Sequence, residues 1–105
     1  MSFLAELAKT IEARKSADPD SSWTAQLLAR GPEACAQKFG EEAVEAIIEA
    51  AKGEPARLTE EAADVLYHLL VMCAACGVQL SDIEAELAAR QTQSGLAEKA
   101  ARGEP

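Results

Sequence analysis

A chain of 105 residues is long enough for one domain and too short for two. Hydrophobic residues make up 49% of it but aromatics only 4%, so the apolar content is mostly Ala and Leu, strong helix formers with small side chains. A net charge of −8 excludes nucleic acid and anionic membrane as partners, since both need clustered Lys and Arg.

A core of such small side chains is thin, and apolar surface is expected to remain for a second copy of the chain. No apolar run approaches the ~20 residues of a membrane span. The start, Met1 to Glu6, carries an acid where a signal peptide carries bases, so a cytoplasmic protein is expected. Cys35, Cys73 and Cys76 are an odd number. The Cys73-x-x-Cys76 spacing falls late in a helical run with no strand before it, unlike a redox pair. All three thiols are expected to be small buried hydrophobes.

No segment alternates as a half-buried strand does. Phe3, Leu4, Leu7, Ala8 and Ile11 recur at helical spacing and predict a first helix from Phe3 to about Ala17. The turn Asp18-Pro19-Asp20-Ser21 breaks it. Ser22 is the expected cap of a short helix, Trp23 to Arg30, which Gly31 ends. Pro32 suits the first turn of a long helix reaching Lys52, about 30 Å at ~1.5 Å per residue, with Gly53 as its stop. The linker Gly53-Glu54-Pro55 is short, so a helix from near Ala56 to about Cys76 folds back antiparallel before Gly77. Ser81 and Glu84 read as a capping box for a helix from Asp82 to about Gln91. The polar tail, 92–105, is expected to be partly ordered. The expected fold is all-α, a single-domain helical bundle (1–105) built on one long antiparallel helix hairpin.

Glu41, Glu42, Glu45 and Glu49 fall within about one quarter of the first long helix's circumference, with Lys38 in the same arc. Glu60, Glu61 and Asp64 share an arc of the second, and His68 continues it one turn later. Charge runs are usually solvated faces, but three details oppose that here. Like charges at i,i+3 and i,i+4 repel, yet no base lies between Gly40 and Ala51. The second acidic stripe sits in a very apolar helix. The hairpin also sets the two stripes opposite each other, which needs something positive between them. Hard oxygen ligands of this kind suit Mg²⁺, with Mn²⁺ as a substitute.

A di-iron bundle would need Glu-x-x-His on two helices, and Val65 stands three before the only histidine. There is no P-loop and no Cys/His or Ser/His nucleophile pair. Bound Mg²⁺ reverses the charge of an acidic site and bridges phosphate oxygens. Lys38, one turn before Glu41 and Glu42, can neutralise a phosphate or pair with those acids. The remaining chemistry is metal-assisted hydrolysis of a polyphosphate, against a helical dimerisation module without catalysis.

Glu41-Glu42-x-x-Glu45 followed by Glu61-x-x-Asp64 is similar to the signature of the all-α nucleoside-triphosphate pyrophosphatases, which include MazG and the dimeric dUTPases. Within that group three stretches resemble the phosphoribosyl-ATP pyrophosphatases: Ser22 to Leu28, the pair Lys38–Glu45 and Glu61–Leu70, and a tail containing Ser94-Gly95-Leu96-Ala97-Glu98-Lys99. The resemblance implies hydrolysis of phosphoribosyl-ATP to phosphoribosyl-AMP and pyrophosphate, the second step of histidine biosynthesis, by a homodimer. It implies Glu42, Glu45, Glu61 and Asp64 as Mg²⁺ ligands, Glu41 assisting a second ion or the attacking water, and Lys38 on phosphate. The tail would bring Arg90, Lys99 and Arg102 near the substrate's phosphates. Trp23 is expected to pack in the core rather than to stack on a base, and His68, on the stripe of Asp64, to pack or to orient a ligand. A cyclohydrolase, fused to this activity in many organisms, would not fit in this length. The nearest rival is a relative acting on dUTP, dCTP or damaged nucleotides.

Overall fold

A computed structural model describes residues 2–91 and 95–103, with six α-helices and no strand among them: α1 Phe3–Ala13, α2 Trp23–Arg30, α3 Pro32–Lys52, α4 Pro55–Ala75, α5 Leu80–Arg90 and α6 Gly95–Ala101. The all-α expectation holds. Ser22 caps α2, its hydroxyl accepting the Ala25 N–H at 3.2 Å. Gly53 ends α3 at φ 73°, a left-handed geometry that a Cβ would strain.

Two boundaries differ from the sequence reading. The first helix stops at Ala13 and passes into a 3₁₀ turn, Arg14–Ser16, before a second such turn, Pro19–Ser21, capped by Asp18. Helix α5 begins at Leu80 rather than Asp82, because Leu80 packs against the core. Its cap is therefore Gln79, whose N–H donates to the Asp82 carboxylate at 2.8 Å, and Ser81 and Glu84 do not form the box. In the tail, Gly95–Ala101 is helical; Ser94 and the side chains of Leu96, Ala97 and Glu98 lie outside the described residues.

The core is small. Ile11, Leu27, Cys35, Leu70, Val71 and Ala74 form it, where α1, α2 and the start of α3 meet the C-terminal half of α4. Cys35 is buried as expected and donates its S–H to the Leu27 carbonyl at 3.2 Å, while Cys73 is half-buried and Cys76 exposed. Burial pushes the Cys35 thiol up, and the nearby Cys76 adds to the shift. Trp23 is also not in the core: it is 48% exposed, with the Arg30 guanidinium 5.6 Å from its ring centroid. It is the first residue of α2, a full turn before the buried Leu27, at the helix end.

Away from this core the hairpin of α3 and α4 stands alone and in symmetric register. Glu49 and Arg57 stand four residues either side of Gly53, Glu45 and Glu61 eight, Glu42 and Asp64 eleven, and Lys38 and His68 fifteen. Val44, Ile47, Ile48 and Leu66 lie exposed along it. The radius of gyration is 15.9 Å, against about 13 Å for a compact chain of this length. No single helix among the described residues is long and apolar enough to cross a membrane, and the one pair that passes together, α4 with α5, is bent by 107°.

Candidate metal centre

The register brings three carboxylates together. Glu42 and Glu45 lie one turn apart on α3, Glu61 faces them from α4, and each offers an oxygen within 4.8 Å of the others. Opposite ligands of a Mg²⁺ ion with ~2.1 Å bonds stand about 4.2 Å apart, so a small inward movement suffices to coordinate one ion.

The electrostatics are those of a centre short of positive charge. Burial alone would raise the Glu42 carboxyl, but a hydrogen bond with Glu45, the Lys38 ammonium and His68 outweigh it and hold Glu42 below the ordinary carboxylate range. Glu45 is pushed up, first by that hydrogen bond to Glu42 and then by the Glu42 charge, with Glu61 adding to it. Two carboxylates hydrogen-bond to each other only when they share a proton, and a divalent cation does the same work with more charge. Glu61 Oε2 is buried without a hydrogen-bond partner, an acceptor left for a ligand. The residues present therefore fit a hard divalent cation.

Lys38 Nζ lies 3.3 Å from Glu42 Oε1 and 3.9 Å from Glu41 Oε1, so it pairs with one acid of the centre and with the acid just before it. Glu41 is outside the trio; its side chain is 57% exposed and accepts from Gln37 Nε2 at 3.4 Å. Asp64 is exposed and also outside the trio. Three residues beyond Glu61, its helical phase is displaced by about 60° toward solvent. Glu49 is buried, 4.0 Å from both Lys52 and Arg57, and closes the hairpin end rather than joining the trio. Arg90, on α5, holds Glu86 at 3.1 Å. Lys99 and Arg102 are exposed on α6 and just after it.

The sequence reading missed one contact. It placed His68 with Asp64, whereas the structure turns Nε2 toward Glu42 Oε1 at 3.8 Å, deep in the hairpin, with the ring side chain 7% exposed. The equal spacing of Lys38 and His68 about Gly53 was the available signal.

Facing carboxylates on an antiparallel helix pair, with a lysine against them, define an all-helical protein with an acidic cluster between two helices. The family model for phosphoribosyl-ATP pyrophosphohydrolase matches residues 4–91. The phosphoribosyl-ATP pyrophosphatase of Ruegeria pomeroyi is 72% identical over 102 residues, 97% of each chain. Those of Cereibacter sphaeroides and Jannaschia sp. are 71% identical over 103 residues and 72% over 102, each covered over 100% of its length by 98% and 97% of this chain. The chain belongs to the phosphoribosyl-ATP pyrophosphohydrolase family.

Proposed function

We propose that this chain hydrolyses phosphoribosyl-ATP to phosphoribosyl-AMP and pyrophosphate, in the second step of histidine biosynthesis, at a Mg²⁺ centre held by Glu42, Glu45 and Glu61. Family membership over residues 4–91 supports the reaction and substrate. The observation that carries the metal assignment is the trio itself, three carboxylates with oxygens within 4.8 Å of one another, one of them buried without a partner.

Bound Mg²⁺, or Mn²⁺ in its place, supplies charge neutralisation to the triphosphate and its pyrophosphate leaving group. The residues of the chain do the rest. Glu42, Glu45 and Glu61 hold the centre, and Asp64, one turn along α4, adds a further carboxylate. Glu41, at the solvent edge, accepts the proton of the attacking water. Lys38 leaves its acidic partners for a phosphate oxygen, an exchange of one anion for another that changes little in charge. Arg90, Lys99 and Arg102 bind the outer phosphates.

The active unit is a homodimer in which residues 1–105 of each copy form a single domain, working in the cytoplasm. Its accessible surface, 7091 Å², exceeds the roughly 5,700 Å² of a compact monomer of this mass. A second copy covering Val44, Ile47, Ile48 and Leu66 removes that excess at the flank of the site.

The test is pyrophosphate release from phosphoribosyl-ATP with and without Mg²⁺, with dUTP and dCTP as controls. Mg²⁺-dependent release from phosphoribosyl-ATP alone is expected. Release from the controls instead would move the chain to nucleotide-pool cleaning, and silence from every substrate would refute catalysis.

A further inference from the structure

His68 is the only histidine of the chain, is 5% exposed, and has no part in the function proposed above; the sequence left it to pack or to orient a ligand. Its Nδ1 is buried with no hydrogen-bond partner, whereas Nε2 points at Glu42 Oε1 from 3.8 Å. A neutral imidazole carries one N–H donor and one bare acceptor. A buried N–H without an acceptor costs more than a bare lone pair in apolar surroundings, so the proton belongs on Nε2, the nitrogen that has a carboxylate to face.

The ring has little freedom to turn away. The Tyr67 ring meets it edge-on, with centroids 4.8 Å apart and planes at 73°. Tyr67 is itself tied to α2 by a hydrogen bond between its hydroxyl and that of Thr24. On the other side, Lys38 Nζ approaches the same Glu42 oxygen at 3.3 Å from α3. One oxygen of Glu42 is thus approached by two nitrogens, from α3 at 3.3 Å and from α4 at 3.8 Å.

We infer that His68 is a positioning residue for Glu42: its Nε2–H, together with Lys38, steadies Oε1 so that the carboxylate meets the cation in one orientation. The inference rests on the metal centre proposed above. At 3.8 Å the contact is longer than a hydrogen bond, and positioning requires it to shorten when the carboxylates draw inward around an ion. When Lys38 moves to substrate phosphate, His68 is the donor that stays with Glu42. Groups that orient a ligand in this way typically change metal affinity by about 10–100-fold.

The experiment is Mn²⁺ binding, followed by electron paramagnetic resonance, to the wild type, His68→Gln, His68→Met and Glu45→Gln. Gln places an amide donor near the Nε2 position, and Met fills similar volume without one. The expected result is at least ~10-fold weaker Mn²⁺ binding in His68→Met and affinity within a few-fold of wild type in His68→Gln. Equal loss in both variants would make His68 a packing residue and overturn the inference, as would full affinity in His68→Met. Full affinity in Glu45→Gln would instead remove the metal centre itself, a separate failure. Should His68→Met not fold, the long-range ¹H–¹⁵N spectrum of the tag-free wild type decides. The Nε2–H tautomer with a resonance that moves on adding Mg²⁺ is expected, and the Nδ1–H tautomer would overturn the inference.

Discussion

Glu61→Gln should make the metal-free protein more stable and the magnesium-loaded protein less so. Glu61 Oε2 is buried without a partner, and Glu42 and Glu45 each offer an oxygen within 4.8 Å of one of this side chain's. An unsatisfied buried acceptor costs about 1–3 kcal/mol, and the lower end applies because the residue is only half-buried. Glutamine is nearly the same shape, carries no charge, and can donate to Glu42 or Glu45. A gain of about 1 kcal/mol in EDTA corresponds to roughly 4–8 °C in Tm for a chain of this size. At Mg²⁺ a hundredfold above its Kd the wild type gains about 2.7 kcal/mol by mass action. A variant binding 10- to 100-fold more weakly gains only about 0.4–1.4 kcal/mol at the same concentration, so the order reverses and the wild type leads by up to about 1 kcal/mol. Thermal melts followed by circular dichroism at one protein concentration, in EDTA and in Mg²⁺, read both halves. A lower Tm for Glu61→Gln in EDTA, or an equal rise of both proteins in Mg²⁺, would refute the reasoning.

Glu45→Gln should keep the fold and lower kcat by at least ~10²-fold in the pyrophosphate-release assay, the scale of losing a polar group aimed at developing charge. The raised Glu45 carboxyl makes its own contribution to metal-free stability full below the ordinary value of 4.5 and lost as pH rises through the raised one. Mg²⁺ binding at mildly acidic pH should therefore release a proton, visible by calorimetry in two buffers of different ionisation enthalpy, and release none well above that range. For Cys35 the folded thiol lies above its ordinary 9.0, so its contribution is complete below that pH and declines as pH rises through the folded value. The fall in urea midpoint between pH 7 and pH 10 should be shallower in Cys35→Ala than in the wild type. Ile47 is 66% exposed, so Ile47→Asp should leave the protomer's helicity unchanged while sedimentation shifts from dimer to monomer.

What could be read from the sequence was whatever local chemistry decides. Ser22, Gly31 and Gly53 punctuate the helices because caps and left-handed turns depend on the residue itself. The short linker at Gly53 made the hairpin antiparallel, and with it the opposition of Glu45 and Glu61. What escaped depended on packing. Leu80, drawn to the core, moved the start of α5 and replaced the expected cap. Asp64 shares a stripe with Glu61 on a helical wheel, but the one-turn offset leaves it in solvent while Glu61 turns inward. Trp23 looked like core because it is large and apolar, yet its place at the first turn of α2 exposes it. His68 reaches Glu42 across the helix pair, a contact set by the interaxial distance and invisible in either helix alone.

The most direct test is the anomalous diffraction of crystals grown with Mn²⁺. The account predicts a peak bounded by Glu42, Glu45 and Glu61, reduced or absent in Glu45→Gln. A protein that turns over phosphoribosyl-ATP in Mn²⁺ while its anomalous peak lies away from these three carboxylates would contradict it.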